Sequence, residues 1–310
     1  MPAQGSKRIN KALTNLSVFY KNSDYIARNV LRDVNVMKES DKYYVYTSEK
    51  RIPDARRANG TPANMYTWEV STSSYNVFER ALKDVITDRD YMNVEAPINL
   101  DRDTVENLTD KIDLNFEYDA MKLLFTTTTF SNNATIVTAT SWTYNTTTSA
   151  PIQNVLSATG AILKASGKMP NEIVMGWAVL EALKENNNVY GRIQYVERAI
   201  ITEELLASLF DVQKIHVGKA VYDSSLEGGT ESQGFIWGSD CLIAYFDPNP
   251  GLRKATAAVN FRVSQYGSPW KVKKWREEEV EGNYIEVQTM YEPKAVATAC
   301  GYLFKAVTTA

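Results

Sequence analysis

The stretch Asp101–Phe125, DRDTVENLTDKIDLNFEYDAMKLLF, decides the fold. Asp103 is a good N-cap, and Glu106 stands where a capping-box partner belongs. Val105, Leu108, Ile112, Phe116, Ala120 and Leu123 then recur at three- and four-residue steps and form one apolar stripe. Leu114, Tyr118, Met121 and Phe125 form a second, weaker stripe, so the spacing predicts a long helix that packs on more than one side. From Thr104 onward it would run about 33 Å at the usual rise per residue. It carries no catalytic constellation of its own.

Around this rod the chain leans toward β structure. Residues 41–75 read as a long hairpin, because DKYYVYTSE and NMYTWEVSTSS are rich in tyrosine and β-branched residues. Between them KRIPDARRANGTPA breaks regular structure with two prolines and an Asn-Gly pair. The hairpin has few aliphatic residues to bury in a core of its own, so it either stays a loose loop or extends onto another subunit. Residues 1–40 read as an arm lying along a surface. The spacing of Val77, Phe78, Leu82, Val85 and Ile86 predicts a helix over 76–92. Residues 126–150, rich in Thr, Ser and Asn with Trp142 as an anchor, read as a crossover.

The middle third changes rhythm to helix, strand, helix, helix, strand. Pro151 suits a first helical turn, Glu172–Met175 reads as a buried strand, and Thr202 caps a further helix. Strands are predicted over 212–221 and 234–246. Asp247-Pro248-Asn249-Pro250-Gly251 is the strongest turn signal in the chain, and 255–263, 272–280, 284–290 and 295–307 read as strands beyond it.

Composition excludes several classes. With 310 residues and 44% hydrophobic residues there is ample material for a core. A net charge of −3 speaks against a general nucleic-acid binder. Cys241 and Cys300 form no close motif and suit a reducing compartment. The first residues carry no apolar signal core, and no run is apolar enough to span a membrane, so a soluble protein made in a cytoplasm is expected. Charge is uneven along the chain. Residues 1–60 hold 12 Lys/Arg against 6 Asp/Glu, a net of +6, and residues 61–125 hold 6 against 13, a net of −7. Blocks of opposite sign can pair within one chain or between chains.

Chemistry is sparse. His216, the single histidine, lies in an alternating strand and reads as a surface or edge residue. Its isolation removes the common zinc sites and the Ser-His-Asp triad. GAILKASGKM, from Gly160, has the wrong spacing for a phosphate loop and Met169 where a hydroxyl is needed. Asp101 with Asp103, or Glu277–Glu279, could hold a divalent cation, but a helix cap and a charge ladder explain them better. No catalytic residue, cofactor or metal site is expected, and the chain does not read as an enzyme.

The order of these elements resembles the major capsid proteins of tailed bacteriophages, which have the Hong Kong 97-type fold. The resemblance covers nearly the whole chain. It rests on the arm followed by Asp41-Lys42-Tyr43, the hairpin, and FERALKDVITDRD leading through APINLD into the long helix. It continues through Trp142, the block PIQNVLSATGAILKASGKMPNEIVMGWAVLEAL, KIHVGKAVYD and YEPKAVATACGYLFKAV.

The resemblance implies an α+β Hong Kong 97-type subunit. Residues 1–40 would be its N-terminal arm and 41–75 an extended loop overlapping a neighbour. Residues 76–130 with 252–310 would form a discontinuous peripheral domain, its spine helix at about 103–125, and 131–251 an axial domain. The implied function is a major head protein of the virion, assembled in the host cytoplasm. Its pentamers and hexamers would form an icosahedral or prolate shell around double-stranded DNA held without sequence-specific binding. The implied partners are further copies of itself, a scaffolding protein (separate, or cleaved off before Met1), a portal and decoration proteins, with no membrane. A rival is an encapsulin-like compartment shell, and a more remote one a carboxylate-dependent metal hydrolase. The charge blocks suggest the contact between copies: Lys50, Arg51, Arg56 and Arg57 at the hairpin tip against a neighbour's Asp84, Asp88, Asp110, Asp113 and Glu117.

Overall fold

The computed structural model describes residues 25–46, 50, 52–67, 69–94, 98–143, 148–193, 201–225, 228–251, 254–263 and 270–308. A short helix α1 (Ala27–Val30) and a strand β1 (Asp33–Val36) lead into the hairpin strands β2 (Ser40–Tyr46) and β3 (Val70–Asn76). Then come β4 (Phe78–Thr87), α2 (Asp88–Asn93) and the 25-residue helix α3 (Leu100–Leu124). The middle of the chain holds β5 (Asn132–Thr135), α4 (Pro151–Ser166), β6 (Glu172–Gly176), α5 (Trp177–Glu185), α6 (Asn187–Ile193) and α7 (Glu203–Leu209). It continues through β7 (Lys214–Gly218), the small pair β8 (Val221–Asp223) and β9 (Gln233–Phe235), and β10 (Cys241–Ala244). The last strands are β11 (Ala258–Val263), β12 (Trp270–Glu277), β13 (Gly282–Ala295) and β14 (Gly301–Lys305).

The long helix forms as its periodicity predicts but starts earlier. Asn99, not Asp103, is the N-cap, its side chain accepting from Arg102 N at 3.2 Å. Asp101 and Asp103 therefore sit in the first turn, where carboxylates favour the positive helix end. Glu106 pairs with Arg102 one turn back at 2.8 Å instead of closing a capping box. Leu108, Ile112, Phe116, Ala120 and Leu124 are all buried.

The helix predicted over 76–92 is not formed. Residues 78–87 are strand β4, which pairs antiparallel with β13 from Phe78 opposite Tyr291 to Thr87 opposite Gly282. Only 88–93 turn helical, behind a capping box at Thr87. A three- and four-residue spacing of apolar groups over ten residues is ambiguous between helix and strand. The unpaired edge of the long strand β13 decides it, because it supplies a backbone partner for every residue of β4.

β13 is the centre of the first sheet, flanked by β4 on one side and by β12 and β11 on the other, with β1 added parallel to β11. Ile285, Val287 and Tyr291 face α3, where Phe116 meets the Tyr291 ring edge-on at 4.9 Å. The second sheet runs β5-β14-β10-β6-β7. Val174, Leu242 and Leu303 turn to the same core as α3, while Ile173, Met175, Ile243 and Phe304 turn to a second core under α4, α5 and α7. So α3 lies between two sheets, as its two stripes suggest. The single strand read over 295–307 is broken by a 3-10 turn at Thr298–Cys300. Beyond that turn the chain leaves the first sheet, and β14 pairs with β10 and β5 in the second.

One buried carboxylate fastens the start of the described chain to this core. Glu117 on α3 is fully buried and accepts from Ile26 N at 3.0 Å, Ala27 N at 2.8 Å and Trp237 Nε1 at 2.6 Å. The first turn of α1 thus finds an acceptor for its free N–H groups, and the indole is satisfied by the same side chain. Burial pushes the Glu117 carboxyl above its usual range, and these three donors pull against that shift.

Two stability outcomes follow from these contacts. A Cβ on Gly176 would meet Gly238 O at 1.9 Å and Trp237 O at 2.9 Å, both backbone atoms that cannot rotate away. Gly176→Ala should therefore lower the urea unfolding free energy by about 2 kcal/mol. Glu117→Ala leaves three buried donors without their acceptor and should cost roughly 3 kcal/mol in the same measurement, with faster protease cleavage near Arg28.

Candidate assembly surfaces

The hairpin β2–β3 pairs from Ser40 opposite Asn76 to Tyr46 opposite Val70, and beyond it the chain runs on through a turn at Ala58–Thr61. This distal loop is organised by its own polar groups. Arg56 N donates to Asp54 Oδ1 at 3.0 Å, Asn64 Nδ2 donates to Asp54 O at 2.8 Å, and Arg57 Nε donates to Thr61 O. Ile52, Met65 and Tyr66 are exposed there, at 97%, 91% and 52%. Large apolar groups left in water on a projecting loop mark a contact surface more often than a scattered surface residue does.

The basic residues singled out from the sequence have different fates. Arg56 and Arg57 lie on the exposed loop. Lys50 instead reaches back to its own chain, donating to Lys164 O at 2.8 Å and Ala165 O at 2.7 Å in the last turn of α4. A cation at a helix C-terminus is favourably placed against the helix dipole. Arg51 lies outside the described residues.

The acidic residues are gathered along α3 and β4, but most meet partners from their own chain. Asp113 takes Arg28, with Nε at 3.1 Å, and Asp119 takes Arg80 at 3.1 Å. Asp88 holds both guanidinium nitrogens of Arg276 at 3.0 and 2.9 Å, and those hydrogen bonds keep its carboxyl below the usual carboxylate range. Asp110 is buried and accepts from Tyr25 OH at 3.3 Å. Glu117, in the clamp described above, is closed to any neighbour. Of the five acids proposed for the contact, Asp84 alone is exposed, its Oδ1 accepting from Val85 N at 2.8 Å. The basic and acidic blocks do meet, as Arg28 and Asp113 show, but within one chain.

The remaining ionisable groups make no reactive centre. Asp101 takes Lys274 Nζ at 2.6 Å, a hydrogen bond that, with one from Tyr91, holds its carboxyl low. Glu278 takes Arg276 Nε at 2.8 Å. One member of each carboxylate run weighed for a cation, Asp101 and Glu278, is thus drawn into an ion pair. Among the described residues no group of three or more His, Cys, Asp or Glu could hold a metal ion. Among them, too, no helix is long and apolar enough to cross a membrane. Cys241 and Cys300 are free and buried, and burial raises both thiols. His216 does lie on an edge strand, since β7 ends the second sheet, but it is not at the surface as its alternating strand suggested. It is buried, with Nε2 at 3.0 Å from Glu172 Oε2. Residues this distant in sequence give no local signal of such a pairing.

A cleft of about 590 Å³ lies between the root of the hairpin and the first sheet, lined by Val34, Tyr43, Tyr44, Val259, Phe261 and Pro250, among others. Lys254 is the one side chain with a full charge among its described walls, so it offers apolar contact and no acid–base pair.

No family model matches the chain. A curated relative, the major capsid protein of Burkholderia phage BcepMu, is 23% identical over 304 residues, 96% of each chain. A phage-related protein from Bordetella bronchiseptica RB50 has a crystal structure that matches with a TM-score of 0.73 at 21% identity, over 94% of this chain and 95% of that one. The capsid protein of a native GTA particle matches with a TM-score of 0.66 at 12% identity, over 98% and 97%. The chain is thus similar over nearly its whole length to a phage major capsid protein, and it has the α+β Hong Kong 97-type capsid fold of its structural neighbours.

Proposed function

We propose that this chain is the repeating subunit of a phage head, assembling into pentamers and hexamers that close an icosahedral or prolate shell around packaged double-stranded DNA. The observation that carries the reading is the full-length relationship to a phage major capsid protein, joined to a matching fold. The chain is a virion component in this reading, assembled in the host cytoplasm with a scaffolding protein, a portal and decoration proteins as partners. Its DNA is enclosed without base recognition, in keeping with the net charge of −3.

The parts divide the work as follows. Residues 1–40 serve as the arm and 41–75 as the loop laid on a neighbour. Residues 76–130 and 252–310 form the peripheral domain, and 131–251 the axial domain, to whose sheet β14 adds a strand. Repeated heterologous contacts close rings, and the loops then tie ring to ring. What supports the loop's role is its exposure of Ile52, Met65 and Tyr66 beside Arg56 and Arg57. The acids on the neighbour that match it are those left facing water, Asp84 on β4 and Asp103 on α3. Lys50, Asp88, Asp110, Asp113 and Glu117 act inside the subunit instead.

Reversing the loop charges, Arg56→Glu with Arg57→Glu, should abolish shells at physiological ionic strength while leaving the circular dichroism spectrum unchanged. Negative-stain microscopy and sedimentation read the outcome. Normal shells from the double variant would remove the loop contact, and failure of the unaltered chain to form shells or capsomers with its scaffold would remove the capsid reading itself.

A further inference from the structure

Three ionisable groups meet where the segment between α1 and β1 crosses onto the second sheet. Glu172, at the start of β6, receives Arg32 Nη2 on Oε1 at 2.6 Å and Arg32 Nη1 on Oε2 at 3.2 Å. His216 Nε2, from β7, lies 3.0 Å from that same Oε2. Arg32 also donates to Val30 O at 3.0 Å, and its carbonyl accepts from Asn260 N at 3.0 Å. A single residue therefore joins α1 and the second sheet through its side chain and the first sheet through its backbone.

Access to water differs among the three. The Glu172 and His216 side chains are 5% and 3% exposed, whereas Arg32 is 28% exposed. With a neutral imidazole the group sums to zero charge. One added proton makes it +1, with two cations competing for Oε2 in a site nearly closed to solvent. Val174, the register partner of His216 on β6, is apolar, and Lys214 on the same strand is exposed. The charged groups known to face the imidazole are thus Glu172 and Arg32. Only Arg32 has a route to water.

We propose that Glu172, Arg32 and His216 form a proton-operated latch on the root of the N-terminal arm: a protonated His216 takes over the Glu172 carboxylate, and Arg32 lets residues 25–36 loosen from the second sheet. The latch is closed while the imidazole is neutral and opens when His216 takes up a proton. Its operation does not depend on the capsid reading, since it concerns contacts inside one subunit. For any assembly in which the arm must change its path, it supplies a local control.

Amide hydrogen exchange of the full chain tests this, read by mass spectrometry on peptides covering 25–36 and corrected for the intrinsic effect of pH. Between pH 7.5 and 5.5 the exchange of these peptides should rise about tenfold in the unaltered protein. His216→Gln keeps a neutral N–H donor toward Glu172 and should hold the slow rate at both pH values. Arg32→Gln should show the fast rate at both. An equal rise in His216→Gln, or no rise or a fall in the unaltered chain, overturns the latch. Should His216→Gln fail to fold, NMR of the chain's single imidazole decides. Arg32→Gln removes the competing cation and should move the His216 titration to higher pH, and an unchanged titration overturns the proposal.

Discussion

A single carboxylate, Glu117, holds three parts of this subunit in register. It sits midway along α3, inside the core, and takes hydrogen bonds from the first turn of α1 and from the Trp237 indole. An isolated buried charge is very costly, so such a group persists only when its donors are fixed around it. The donors come from two distant stretches of chain, and α3 must be in place before they can converge. The rod is therefore more than a spacer: its one buried carboxylate fastens the start of α1, while its apolar faces carry both sheets.

The same geometry explains why the charge blocks are not a free surface. Arg28 on α1 reaches Asp113 one turn from Glu117 and also lies over the Phe116 and Trp270 rings, at 5.0 and 5.5 Å. Arg80 joins Asp119 and covers Tyr291 at 5.1 Å. Guanidinium groups suit these positions because one flat face can stack on a ring while the edge binds a carboxylate. Much of the acidity of α3 and β4 is balanced within the subunit, which leaves the distal loop as the basic region with most freedom to act elsewhere.

How much of this could be read from residues alone depends on the range of the forces. The long helix was legible because its apolar repeat persists for many turns, as was the hairpin, whose strands are adjacent in sequence. The order of elements carried the family resemblance. The segment 78–87 was not legible: Glu79, Ala81, Leu82 and Lys83 are good helix formers, and the β13 edge that overrides them lies far along the chain. Nor was the role of His216. Alternation marked its strand, but both faces of that strand are buried, and the partners that meet His216, Glu172 and through it Arg32, are themselves 140 residues apart. For the candidate contact, sequence located the acids but not the direction of their side chains, and direction separates Asp84 from Glu117.

The place of β14 has a consequence for how subunits are made. It lies between β5 and β10, so the second sheet has a vacant strand position until residues 301–305 leave the ribosome. β5 has no other partner in that sheet, and Trp142 N gives its hydrogen bond to Val307 O. A nascent chain can shape α3 and the middle helices early, yet the sheet beneath them closes only once residues 301–305 have been made. Fragments that stop short of β14 carry an open sheet edge and an incomplete core.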